Sequence, residues 1–207
     1  MNTHVAKNYY QGKYDSKRRF ISYWHQIHEV LLLKPENVLE VGIGNGFVSR
    51  YLREQDTTIV TCDIDAHLKP DHIASVTKLP FADKSFDVVM ACEILEHMPY
   101  AETLQGLGEI FRVSSQSAII SLPDATRSIY IEFPIPKFGK VKKLMVIPEL
   151  FPKKHILTKG GHHWEIGKKE YPLSRIIKDI KKTGFVMEKT YRVAENPYHR
   201  FFVLHKS

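Results

Sequence analysis

Val38-Leu39-Glu40-Val41-Gly42-Ile43-Gly44-Asn45-Gly46 joins a short apolar strand to a turn with glycine at every second position, and Phe47, Val48, Tyr51 and Leu52 follow at helical spacing. Glycine reaches positive φ without a Cβ clash and lets a ligand lie against bare backbone. A turn of this kind beneath a helix N-terminus makes a nucleotide cradle. A second apolar run, Thr58-Ile59-Val60-Thr61-Cys62, ends on Asp63. Glu40 and Asp63 therefore reach the same edge of a parallel sheet. Open α/β sheets bind ligands at that edge, where an acid can accept hydrogen bonds from ribose hydroxyls. The interval from Gly44 to Asp63 suits an acid that follows one glycine turn and one crossover helix. A dinucleotide site wants its third glycine three residues after the second. Here Gly46 comes two residues on, followed by Phe47, which suits a pyrophosphate less well.

Outward from this stretch the chain alternates between the two periods. Phe20, Tyr23, Trp24, Ile27, Val30 and Leu31 predict a helix over 16–33, closed by Pro35. Strands are expected near 37–41, 58–62, 86–92 and 117–122, with a weaker one around Ile73-Ala74-Ser75-Val76. Leu104, Leu107, Ile110 and Phe111 mark one further helix. Leu173, Ile176, Ile177 and Ile180 mark the last, stopped by Gly184. The runs 185–193 and 199–205 predict a hairpin around Asn196-Pro197. The alternation implies an α/β, doubly wound (Rossmann-like) sheet.

With 207 residues the chain is read as a single domain, 1–207, with a helical cap over 1–35. The stretch 124–169 is too long for an ordinary connection and is read as a lid over a substrate. Its charge is distinctive. Between Lys137 and Lys169 stand nine lysines and only two acids, Glu149 and Glu165, an excess equal to the net +7 of the whole chain. Apolar residues from Leu144 to Phe151 are interleaved. Such a segment suits an anionic substrate, a membrane surface contacted peripherally, or nucleic acid; a solvated loop is the bland alternative. Cys62 and Cys92 fall at strand ends and do not indicate a disulfide. The N-terminal residues lack the apolar core of a signal peptide, and no apolar run approaches spanning length, so a cytoplasmic location is expected.

The acid-x-G-x-G-x-G form of residues 40–46 resembles the first motif of class I S-adenosylmethionine-dependent methyltransferases. Leu79-Pro80-Phe81-Ala82-Asp83-Lys84-Ser85-Phe86-Asp87-Val88-Val89 is similar to the L-P-F-x-D-x-S-F-D-x-V stretch of their ubiquinone/menaquinone-biosynthesis-like branch. Cys92-Glu93-Ile94-Leu95-Glu96-His97-Met98 resembles the segment that follows strand four there. The resemblance spans roughly 36–123 and implies a mostly parallel seven-stranded sheet whose last strand is antiparallel. It implies S-adenosylmethionine as cofactor, held by Glu40, the turn Gly42-Ile43-Gly44-Asn45-Gly46, Asp63, Ile64, Ser75-Val76, and the backbone at Cys92 and Glu93. Ser75 stands where that branch carries the aspartate that holds the adenine amine.

Glu93, Glu96 and His97 would share one face if a helix began at the strand end, and two carboxylates with an imidazole suit a divalent metal ion. The pattern is similar to the metal-binding motif of ubiquinone-biosynthesis O-methyltransferases and of small-RNA 3′-terminal 2′-O-methyltransferases. The RNA enzymes add a later histidine, which Gly160-Gly161-His162-His163-Trp164-Glu165 could supply. Without metal, His97, His162 or His163 is a candidate general base. Histidines that only pack or cap are the alternative. Tyr9, Tyr10 and Tyr14 are candidates to close over the cofactor, and Asn196-Pro197-Tyr198 is read as a turn. The reading that follows is methyl transfer to an oxygen of a small or carrier-linked, anionic acceptor. Two alternatives are RNA 2′-O-methylation and a non-catalytic, cofactor-binding regulatory domain.

Overall fold

The computed structural model describes residues 14–135, 139–147, 151–157 and 161–206. Tyr9, Tyr10, Lys137, Glu149, Lys159 and Gly160 lie outside the described residues. Helix α1 (Lys17–Leu33) opens on Ser16, whose side chain accepts from Arg19 N. It is followed by β1 (Asn37–Val41), α2 (Phe47–Glu54), β2 (Thr58–Asp63), β3 (His72–Ile73), β4 (Phe86–Cys92), α3 (Tyr100–Val113) and β5 (Ser114–Pro123). Strands β6 (Ser128–Ile135) and β7 (Gly139–Val146), helix α4 (Leu173–Lys182), and strands β8 (Phe185–Val193) and β9 (Asn196–Lys206) complete the chain.

Seven strands form one sheet in the order β3-β2-β1-β4-β5-β9-β8. The first five are parallel, and β9 runs antiparallel to both neighbours. The strand order reverses between β1 and β4, the switch point where such sheets leave a crevice. Apolar alternation sorts the core onto two faces. On β1, Val38 packs with Tyr23, Ile27 and Val30 of α1 and Val48 and Leu52 of α2. Its neighbours Leu39 and Val41 face Leu107, Ile110 and Val113 of α3 and Ile176 and Ile180 of α4. Each fully buried aliphatic side chain contributes about 1.5–3 kcal/mol of transfer free energy, so this two-sided burial holds the sheet edge rigid.

The L-P-F-x-D stretch owes its shape to a residue outside it. Arg112, in the last turn of α3, donates to Leu79 O (3.0 Å), Phe81 O (2.7 Å) and the Asp83 carboxylate (2.9 Å), and Glu109 accepts from Leu79 N (2.8 Å). That clamp fixes the loop leading into β4.

One expectation is corrected. The terminal hairpin turns at Ala194-Glu195, so Asn196 and Pro197 already belong to β9. Half of the α1 stripe is solvent-facing, with Phe20, Trp24 and Leu31 exposed and only Tyr23, Ile27 and Val30 buried. The stretch 124–169 is not uniform. Strands β6 and β7 form a separate antiparallel pair, whereas Asp124, Trp164, Glu165 and Ile166 are buried. Cys62 and Cys92 carry free thiols. Among the described residues, no helix is long and apolar enough to cross a membrane.

Candidate active site

At the carboxyl edge of β1 the chain turns on three glycines in the left-handed region: Gly42 (φ 81°), Gly44 (φ 54°) and Gly46 (φ 68°). At Gly42 the requirement is also steric, because a Cβ would collide with the Ile94 side chain. Gly46 caps α2, and the Asn45 side chain accepts from Phe47 N (3.0 Å) while donating to Asp15 (2.8 Å), which ties the turn to the entrance of α1. Asp63 closes β2 and braces the turn from the side. Its two oxygens accept from Ile43 N (3.0 Å) and Asp65 N (2.9 Å). Burial raises its pKa, opposed by those backbone donors. Each oxygen retains a further lone pair for a ligand.

Glu40 is 5 % exposed, its Oε2 is buried without a hydrogen-bond partner among the described residues, and burial pushes its pKa up to about 8. An orphaned carboxylate oxygen beside an open glycine turn is a site prepared for a hydroxyl or ammonium donor. The turn and its two acids thus suit a sulfonium nucleoside. Ile64 and Ile73 are exposed at the same edge, offering apolar surface to a base. Ser75 hydrogen-bonds Thr77 (2.8 Å), while Val76 is buried and packs against Gly106.

The E-x-x-E-H group does not adopt the shared helical face anticipated for Glu93, Glu96 and His97. Glu93 takes φ 55°, a left-handed conformation disfavoured for a side-chain-bearing residue, and a short 3₁₀ turn, Leu95–His97, follows. Glu93 points elsewhere: it accepts from Ser121 Oγ (2.9 Å) and faces His199 Nε2 at 3.5 Å. His199 in turn bonds Ser22 of α1 (2.8 Å), linking α1, β9, β4 and β5 beneath the turn. Cys92, also at this edge, has its thiol pKa raised by burial.

Glu96 instead meets His97 and the distant His162. Glu96 Oε1 lies 3.9 Å from His97 Nε2 and 3.8 Å from His162 Nε2, and the two rings pack edge to face. Glu96 is fully buried, and among the described residues neither of its carboxylate oxygens has a hydrogen-bond partner; burial, with Glu93 nearby, raises its pKa. Burial, and then the neighbouring His162, lowers the His97 pKa to about 4. Among the described residues, the Glu96 carboxylate and the two imidazoles place one ligand atom each within 4.8 Å of one another, a set whose chemistry fits a divalent cation. His163 approaches through its backbone, donating N–H to Glu96 O (2.8 Å).

His162 is held by groups the sequence reading did not single out. Glu165 accepts from its Nδ1 (3.1 Å) and from Tyr198 Oη (2.6 Å); although burial opposes it, these bonds hold the Glu165 pKa below the usual range. Trp164, 1 % exposed, anchors the segment by donating Nε1 to Thr103 Oγ1 (3.0 Å) and Leu95 O (3.3 Å). Tyr198, expected in a turn, therefore stands in the site. The signal available was a lone tryptophan and acid inside a lysine-rich stretch. Tyr14 meets the Arg19 guanidinium at 4.3 Å, near the entrance of α1.

Residues 39–122 match the family described as a methyltransferase domain. No curated protein matches the chain. Among solved structures, the PH0226 protein of Pyrococcus horikoshii is 18% identical with TM-score 0.60, the match covering 99% of this chain and 100% of that one. An S-adenosylmethionine-dependent methyltransferase of Clostridium acetobutylicum is 8% identical with TM-score 0.62, over 94% of each chain. The magnesium protoporphyrin IX methyltransferase of Synechocystis, with S-adenosylmethionine bound, is 16% identical with TM-score 0.57, over 92% of this chain and 79% of that one. At these identities the likeness is one of fold. The glycine turn and its two acids fall within residues 39–122, the segment that matches the methyltransferase-domain family, and the chain as a whole shares the fold of S-adenosylmethionine-dependent methyltransferases.

Proposed function

We propose that this chain is an S-adenosylmethionine-dependent methyltransferase that acts on an oxygen of a small or carrier-linked, anionic acceptor bound between the glycine turn and the Glu96–His97–His162 cluster. The cofactor supplies an electrophilic methyl group on sulfur, so the protein needs no nucleophile of its own; it must align the acceptor and accept its proton. Glu40, the backbone of Gly42, Ile43, Gly44, Asn45 and Gly46, and Asp63 hold the nucleoside, with Ile64, Ser75, Val76, Cys92 and Glu93 beside it. Glu165 fixes the His162 proton on Nδ1, which leaves Nε2 to take the acceptor hydroxyl proton as the C–S bond breaks and the O–C bond forms. Alternatively, Glu96, His97 and His162 would hold a divalent cation, and His162 Nε2 would then be a ligand and not the proton acceptor. Such an ion would make an acceptor hydroxyl more acidic.

The observation that carries this reading is the fully buried Glu96 carboxylate, whose oxygens lack partners among the described residues. A group so placed is costly unless a ligand or ion completes it. The lysine-rich stretch interleaves chiefly aliphatic side chains, which supports a compact acceptor over single-stranded RNA, where stacked aromatics would be wanted. Elemental analysis of protein dialysed against manganese or zinc tests the cation: about one ion per chain is expected, lost in Glu96→Gln. Labelled methyl transfer to a panel of hydroxylated phosphates and carboxylates tests the acceptor. Product labelled on nitrogen, or labelling confined to RNA, contradicts the reading.

A further inference from the structure

Just beyond the carboxyl end of β5, Arg127, Lys153 and Lys168 line a cleft of about 190 Å³ together with Ala125 and Gly167. Three separate stretches build it, and backbone hydrogen bonds lock them together. Ala125 N–H donates to Ile166 O (2.9 Å), Ile166 N–H to Pro123 O (3.0 Å), Lys169 N–H to Lys153 O (3.0 Å) and Ile147 N–H to Arg127 O (2.9 Å). Gly167 has φ 89°, and a Cβ there would lie 2.5 Å from Thr126 Oγ1 and 2.9 Å from Thr126 N, so the wall closes only because residue 167 is glycine.

The cleft is electropositive in depth. Among the described residues, neither Arg127 nor Lys153 lies within ion-pair distance of an acid, and the nearest acid to Lys168 is Glu165, at 3.9 Å. Behind the 124–126 stretch, Arg192 donates Nη2 to Thr126 O (2.8 Å), and its Nη1 is buried without a partner among the described residues. Asp124 also lies there, but it is engaged by Arg200 (2.7 Å) as well as by Arg192 (3.7 Å). Two guanidinium groups thus share one carboxylate, which leaves net positive charge beneath the three lining cations. The Lys168–Glu165 pair joins this cleft to the carboxylate that orients His162.

We infer that Arg127, Lys153 and Lys168 form an anion subsite that binds a phosphate or diphosphate group of the acceptor, one segment away from the proton-accepting His162. The inference rests on the acceptor reading given above and narrows it. Arginine offers a planar fork matched to phosphate oxygens, and paired lysines add point charge; a carboxylate would engage only part of this set. The volume leaves room for bridging water.

Calorimetric titration with inorganic pyrophosphate, inorganic phosphate and acetate tests it on the wild-type chain and on the Arg127→Gln/Lys153→Gln double variant. S-adenosylhomocysteine is titrated into the same samples. Both substituted side chains are solvent-exposed, so coincident melting curves are expected. The wild type should bind pyrophosphate most tightly, phosphate less so and acetate least, and the double variant should bind pyrophosphate at least tenfold more weakly with unchanged S-adenosylhomocysteine affinity. Pyrophosphate affinity unaltered by the double substitution, equal binding of acetate, or pyrophosphate displaced by S-adenosylhomocysteine overturns the subsite. Absence of S-adenosylhomocysteine binding in both proteins would instead overturn the methyltransferase reading, whatever the anions do.

Discussion

Glu40 presents the clearest electrostatic consequence at the scale of one residue. Its pKa near 8 lies above the ordinary carboxylate range, because burial disfavours the anion. The folded chain without ligand therefore holds a proton there at neutral pH, whereas the unfolded chain does not. This term favours folding at low pH and weakens as pH rises from about 4.5 to about 8. A ligand that donates hydrogen bonds to Glu40 favours its anion, so binding must expel that proton. S-adenosylhomocysteine is expected to release a substantial fraction of one proton at pH 7, read from calorimetry in buffers of different ionisation enthalpy. Its affinity should rise with pH up to about 8. Glu40→Gln should abolish the proton release. Asp63 makes a different kind of contribution, because it also accepts from Ile43 N. Asp63→Ala removes the acceptor for a ribose hydroxyl and loosens the turn together, so S-adenosylhomocysteine affinity should fall tenfold or more, about 1.4 kcal/mol or beyond. Unchanged calorimetric affinity would remove Asp63 from the cofactor site.

Among the elements, the glycine turn and the 3₁₀ turn after β4 are coupled through one contact. A Cβ at residue 42 would strike Ile94, and φ 81° is strained for any L side chain besides. Gly42→Ala should lower the melting temperature and weaken S-adenosylhomocysteine binding. In the double substitution with Ile94→Ala, the steric part should be recovered and only the backbone strain, about 1–2 kcal/mol, should remain. Additive losses would mean that the two turns are independent. This coupling also shows what was legible in the sequence. The glycine spacing and the acids at strand ends disclosed the sheet edge, because both are local and periodic. The order of helices and strands was readable for the same reason. The partners that complete the site were not, since Arg112 clamps a loop from the far end of α3 and Tyr198 reaches Glu165 from the terminal hairpin. The E-x-x-E-H group misled because its spacing suits a helix face, while the chain breaks at Glu93 and spends Glu93 on Ser121. His162, which the resemblance offered only as one of two later histidines, takes its place at Glu96.

For the whole molecule, the question is how the lysine-rich stretch relates to the body that binds the cofactor. Among the described residues, strands β6 and β7 pair only with each other, and neither core cluster draws a residue from 128–146. One face of the pair carries Ile129, Ile131 and Phe133 opposite Met145, Lys143 and Val141, with all five apolar side chains exposed. A two-stranded pair of this kind is marginal by itself. Its ends are already adjacent, because Ser128 pairs with Val146 and Ile147 N–H donates to Arg127 O. Replacing 128–146 by a short Gly-Ser linker therefore closes a gap the fold has already closed, and the shorter loop costs less entropy. Both core faces, the glycine turn and the Glu96–His97–His162 cluster should survive intact. The excised protein is expected to melt within a few degrees of the parent and to bind S-adenosylhomocysteine within twofold. If the pair serves as the lid proposed for 124–169, methyl transfer to the acceptor should fall at least tenfold, while the anion cleft, which retains Arg127, Lys153 and Lys168, should still take up pyrophosphate. A lowered melting temperature with lost cofactor binding would make the hairpin part of the folding core. Full turnover after excision would instead place acceptor selection in the buried half of the segment, around Trp164 and Glu165.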